Sequence, residues 1–145
     1  MEVEKRGGMR RSTRVASSFL GVYAGLLGAT HGFFETMQGH RAPDHLSIAA
    51  IGPPCEAKAI WHACLPAMTI VPNFLLTGVL AIAVSLAVGL WSALFIERKQ
   101  GGLVLLLLAV LMMLVGGGFV PAWAGVTAGL SRFRLDAPTC AACSP

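Results

Sequence analysis

Long uncharged stretches alternate with short charged ones along the chain. No Asp, Glu, Lys or Arg occurs from Val15 to Phe34, from Met68 to Ile96 or from Leu103 to Ser131. A helix in water needs a polar face on nearly every turn, whereas about 20 apolar residues cross the hydrocarbon core of a bilayer. The pattern predicts an all-α fold: a small polytopic membrane helical bundle with three full spans and a short broken fourth segment. Its expected divisions are a basic arm over 1–14, a first transmembrane helix over 15–37 and an extracytoplasmic loop over 38–67. A second helix follows over 68–97, then a turn over 98–102, a third helix with the short fourth segment over 103–131, and a tail over 132–145. The apolar part of the first segment exceeds the 7–15 residues of a signal-peptide core, so a retained helix is expected. Gly116-Gly117-Gly118, followed by Pro121, predicts a helix break, because glycine weakens a helix and proline removes a donor. Beyond it, Ala122 to Leu130 is too short to span alone.

Composition agrees with this pattern. Of 145 residues, 55% are hydrophobic and 12% charged, against about 25% charged in soluble proteins. The net charge of +4 does not indicate a nucleic-acid partner, since Lys5, Arg6, Arg10, Arg11 and Arg14 stand together before the first apolar segment. Basic residues in that position mark a cytoplasmic flank. With Arg98 and Lys99 also on that side, the N-terminus is cytoplasmic, the 38–67 loop faces outward, and Arg132 and Arg134 favour a fourth crossing. The expected location is the cell membrane, multi-pass, with the bilayer and other membrane helices as partners.

Small residues recur on one face of the first helix: Ser17, Gly21, Gly25, Gly28 and Gly32, spaced four, four, three and four apart. Gly78, Ser85, Gly89 and Ser92 form a sparser row on the second. Such rows let backbones approach closely, a main source of helix association in lipid. Three residues past the first row stands Glu35, with His31 four residues before it. An ionisable residue at membrane depth is costly unless paired and marks a proton, ion or ligand site by default. The plainer expectation is that Glu35, near the outer helix end, reaches water or caps the Gln38–His40 turn. Thr69 and Asn73, at the outer end of the second helix, are natural polar neighbours. The candidate site is therefore His31, Glu35, Thr69 and Asn73.

Cys55 and Cys64 flank eight residues of the outer loop, where an oxidising compartment favours a disulfide. Cys140 and Cys143 form a C-x-x-C in the tail, a redox spacing without strand-to-helix context. In cysteine number and helix count the chain resembles the small membrane oxidoreductases of the disulfide-bond-forming and vitamin K epoxide reductase families. That resemblance implies thiol–disulfide exchange with a quinone. It departs from them in placing the C-x-x-C beyond Pro138 rather than at a helix end. His31, His40, His45 and His62 all lie in or beside the outer region, and the second and third helices contain none, which disfavours bis-histidine haem. No metal site, cofactor or catalytic set is identified. The expected function is a non-enzymatic membrane subunit or scaffold associating through its glycine-rich faces. The alternatives are an ion, proton or small-molecule transporter component using Glu35 and His31, and a thiol–disulfide oxidoreductase using the two cysteine pairs.

Overall fold

A computed structural model describes residues 2–43, 46–49 and 66–136. Cys55, Cys64, Cys140 and Cys143, together with His45 and His62, lie outside the described residues. Four helices make up the body: α1 (Glu2–Met37), α2 (Phe74–Leu94), α3 (Gly101–Leu114) and α4 (Phe119–Asp136). Between α1 and α2 in the chain, β1 (Ser47–Ala49) and β2 (Pro66–Met68) pair antiparallel, with Ile48 opposite Ala67. An isolated bridge joins Thr69 to Val115 just beyond β2.

Neighbouring positions fix the helix directions. Gly21 lies against Ser92 and Gly32 against Gly78, so α1 and α2 are antiparallel. Gly102 meets Phe133 and Gly125 meets Ala109, which sets α3 against α4 in the same sense. Gly118 lies by His31 and Gly125 by Ala24, closing α4 onto α1. The result is an up-down-up-down bundle in the order α1–α2–α3–α4.

Its interior is unusual for a small protein. Half of the buried apolar positions are alanine (Ala24, Ala67, Ala81, Ala109, Ala122 and Ala128), with Leu105 and Met112 the largest fully buried apolar side chains. Phe19, Leu26, Leu90, Leu107, Trp123 and Phe133 all face outward. Small residues inside and large apolar ones outside reverse the arrangement expected of a domain in water, whose largest apolar side chains fill the core.

The glycine rows explain the close approach of α1 and α2. A methyl group at Gly25 would stand 2.6 Å from the Ser85 carbonyl oxygen and 2.8 Å from the Gly89 Cα, both backbone atoms. Ser18 donates a hydrogen bond across the same interface to the Ser92 carbonyl at 2.7 Å. The two rows therefore meet each other within the chain, and their burial requires no second protein.

Helix limits differ from the sequence expectation in three places. The basic arm is not separate: α1 begins at Glu2 and runs through it. α2 starts at Phe74 rather than Met68, because Met68 belongs to β2 and Asn73 caps the helix. The third and fourth segments exchange rank. The break falls at Gly116–Gly118 as expected, but α3 has 14 residues, about 21 Å, and α4 has 18, about 27 Å. Pro121 sits in the first turn of α4, where its missing N–H is no loss. By length and composition α2, with 21 residues, is the one helix among the described residues clearly able to cross a membrane. The glycines and serines that α1 needs for packing dilute its apolar character.

Gly25→Ala and Gly89→Ala should behave differently. The first forces backbone apart and should cost about 1–3 kcal/mol, the range for overpacking. The second places its methyl 3.9 Å from the nearest heavy atom, an ordinary contact, and should leave stability unchanged or slightly raised. Unfolding midpoints of the purified variants check both; equal loss in the two would contradict the packing described.

Candidate functional site

The polar interior concentrates at the end of the bundle where α1 finishes. There α1 closes with Gly39 at φ +70, and the Gln38 and Gly39 amides donate to the Glu35 and Thr36 carbonyls at 3.0 and 3.1 Å. Backbone groups thus complete the turn, and the Glu35 side chain takes no part in it. The Phe74 and Leu75 amides, left open at the start of α2, donate to the carbonyls of Arg41 and Gly39 at 2.9 and 3.1 Å. Asn73 finishes this N-terminus, its Oδ1 accepting from the Leu75 amide at 3.0 Å and from Leu76 at 3.4 Å.

Glu35 is fully buried, with 0% of its surface exposed, and His31 is at 4%. The His31 Nε2 lies 3.7 Å from the Glu35 Oε1, one helical turn apart on α1. Neither carboxylate oxygen of Glu35 has a hydrogen-bond partner among the described residues. A buried carboxylate in that condition is costly, since none of the described residues replaces the hydrogen bonds that water would make.

The room around the pair comes from the α3–α4 turn. Val115, Gly116, Gly117 and Gly118 are all buried. Gly116 (φ +93) and Gly118 (φ +83) adopt backbone conformations that other residues rarely take. A methyl at Gly116 would stand 2.6 and 2.7 Å from the two Glu35 carboxylate oxygens and would also strike the Thr77 methyl. A methyl at Gly118 would stand 3.3 Å from the His31 Nδ1. The turn is therefore a wall of bare backbone laid against the pair.

Thr69 and Thr77 complete this region. Their hydroxyls are 3.0 Å apart, Thr69 Oγ1 accepts from the Val71 amide at 3.1 Å, and Thr77 Oγ1 donates to the Val71 carbonyl at 3.3 Å. The Ile70 amide donates to the Leu114 carbonyl at 3.2 Å, which with the Thr69–Val115 bridge ties this segment to the end of α3. β2 packs on α3 and α4 at the same end.

The sequence-derived set is thus divided. His31 and Glu35 meet; Thr69 lies beside them through Thr77 and the turn. Asn73 instead serves as a helix cap, with its Nδ2 facing the His40 Nδ1 at 3.3 Å on the exposed side. Thr77, Gly116 and Gly118 were missing from the set. The two glycines stand about 80 residues from Glu35, and only their triple run signalled anything, namely a break.

Further along the α1–α2 interface lie other buried hydroxyls, Ser85, Ser92 and Ser17. Ser92 donates to the Val88 carbonyl at 2.7 Å, while the hydroxyls of Ser85 and Ser17 have no partner among the described residues. Chemically, the His31–Glu35 pair can hold one proton in two ways, as imidazolium with carboxylate or as imidazole with carboxylic acid. Both carry no net charge, but only the second avoids burying separated charges, which a low-dielectric interior tolerates poorly. Two ligands fall short of the three or four protein groups usual for zinc. Among the described residues no group of three His, Cys, Asp or Glu converges. No protein-family model, characterised protein or solved structure matches the chain.

Gly116→Ala should destabilise the fold by about 1–3 kcal/mol through a strained backbone and crowding. Combining it with Glu35→Ala should recover part of that loss, because the carboxylate it crowds is gone. A double-mutant cycle on unfolding midpoints measures this; strict additivity would mean that turn and carboxylate are not in contact.

Proposed function

We propose that the chain is a four-crossing membrane protein that moves protons, with His31 and Glu35 as its proton-holding site. The observation that carries the reading is the full burial of a carboxylate whose oxygens have no hydrogen-bond partner among the described residues, beside an imidazole one turn away. Such a group is expensive to keep for structure alone, since an apolar residue there would pack as well and cost nothing to desolvate.

The multi-pass arrangement draws support from the outward large side chains and the small interior. It also draws support from the end-to-end separation of charge. The up-down-up-down order puts Arg14, Arg98, Lys99 and Arg132 at one end and the His31–Glu35 pair at the other, where Arg41 is the one Lys or Arg among the described residues. The α3–α4 turn is non-helical backbone, which hydrocarbon tolerates only when buried in protein, and all four of its residues are buried. α3, at about 21 Å, reaches a crossing together with this turn rather than alone.

In the proposed cycle a proton enters from the outer end onto Glu35 or His31. It passes between Oε1 and Nε2 when their 3.7 Å gap closes to hydrogen-bond length. The hydroxyls of Thr77, Ser85, Ser92 and Ser17 mark a polar line towards the basic end. Thr77 to Ser85 is about 12 Å along the helix, so side chains alone do not make a continuous wire and water must complete it. A scaffold role would have to use faces other than the glycine rows, which pack on each other.

Liposomes holding a pH-sensitive dye test the reading. Under an imposed pH gradient the reconstituted chain should dissipate it faster than empty vesicles. Glu35→Gln, close in shape and uncharged, should lower the rate at least ten-fold with insertion unchanged, and His31→Gln should also lower it. A Glu35→Gln variant as active as the parent, or vesicles no leakier than empty ones, would overturn the proposal.

A further inference from the structure

The opposite end of the bundle carries a second feature unrelated to the proton site. Arg11, Ser12, Val15, Ala16 and Phe19 line a cleft of about 540 Å³ on the outer side of α1. A second cleft of about 500 Å³, between α1 and the end of α2, shares Val15 and Phe19 and adds Arg14, Ser18, Leu94 and Glu97. The two adjoin at Val15 and Phe19, and the shallow recess they make up carries Arg11, Arg14 and the Glu97 carboxylate beside the apolar Val15, Phe19 and Leu94.

Helical geometry produces that order. Arg11 and Arg14 are three residues apart and share a face of α1; Val15 lies one turn below Arg11, and Phe19 one turn below Val15. Val15 and Phe19 are 66% and 70% exposed. Phe19 stacks on Tyr23 a further turn down, ring centroids 6.5 Å apart, which extends the apolar track. Arg14 is held at the mouth by Glu97, with Nη1 3.8 Å from Oε1, and keeps donors free because it has five. Arg132, by contrast, is buried and donates to the Ile96 carbonyl at 2.9 Å, so it closes the helix end and is not part of the recess.

We infer that this recess is a binding site for one anionic phospholipid, its phosphate on Arg11 and Arg14 and an acyl chain along Val15, Phe19 and Tyr23. The inference rests on the membrane part of the proposed function and not on the proton site. A water-soluble anion would gain nothing from the apolar track, and a zwitterionic lipid would gain less from two arginines. Basic pockets between helices on the cytoplasmic side recognise anionic head groups in this way.

Nanodiscs of equimolar phosphatidylglycerol and phosphatidylcholine provide the test, with retained lipid identified by native mass spectrometry of the ejected protein. The parent chain should retain phosphatidylglycerol in preference to phosphatidylcholine. Arg11→Gln and Arg14→Gln should each reduce that preference about five-fold. Arg134→Gln, an exposed change of equal charge at the same end but outside the recess, should leave it intact. Equal retention of the two lipids by the parent overturns the site. So does a loss in Arg134→Gln as large as in Arg14→Gln, which would reduce the effect to bulk charge. Failure of the chain to enter nanodiscs would overturn the membrane reading itself, and so is told apart from failure of the lipid site.

Discussion

Backbone-to-backbone contact between α1 and α2 is the constraint on which the remaining structure depends. At Gly25 and Gly89, and again at Gly32 and Gly78, the two helices approach until no Cβ fits on the inner side of α1. This contact leaves little interior volume, and the bundle fills most of what remains with alanine, serine and threonine, around a few larger side chains such as Leu105 and Met112. Large apolar side chains are then forced outward. Close packing of small residues gains dispersion energy and does not rely on expelling water from a greasy core, which makes it suited to a lipid surrounding.

The same tight interior decides where polar chemistry can reside. Hydroxyls fit because they are small, and Ser92 satisfies its own proton on the preceding turn. A carboxylate and an imidazole do not fit beside a helix at that spacing. They are accommodated where α3 stops at Leu114 and the chain passes as bare glycine backbone past Glu35 and His31. The positive φ of Gly116 and Gly118 is therefore more than a device for ending a helix. It creates the space in which the pair is buried.

Basic side chains crowd one end of the bundle, against Arg41 among the described residues at the other. One end holds arginines that pair with Glu97, stack on Phe95 or close a helix end at the Ile96 carbonyl. The other holds the neutral-in-sum His31–Glu35 pair under the β1–β2 segment. On the proposed reading, the first end faces anionic lipid and the second supplies a proton site. The two ends work by different physics: long-range attraction at a wet interface, and desolvation in a dry interior.

The all-helical character and the break at Gly116–Gly118 were legible from the spacing of charges and glycines, whereas the same spacing left three or four helices open. The small-residue rows were legible too, since a spacing of three and four places residues on one helical face whatever surrounds it. Their partner was not: a glycine row can receive any backbone, and only the fold shows that each row receives the other. Asn73 looked like a neighbour of Glu35 because both lie near one end, yet its side chain is claimed by the amides of its own helix. Sequence by itself thus determined the helical character, the glycine break and the presence of an out-of-place carboxylate. Tertiary structure alone decided that Glu35 is buried, and that Thr77 and a distant glycine turn surround it, because such contacts join residues far apart in the chain and leave no periodic trace along it.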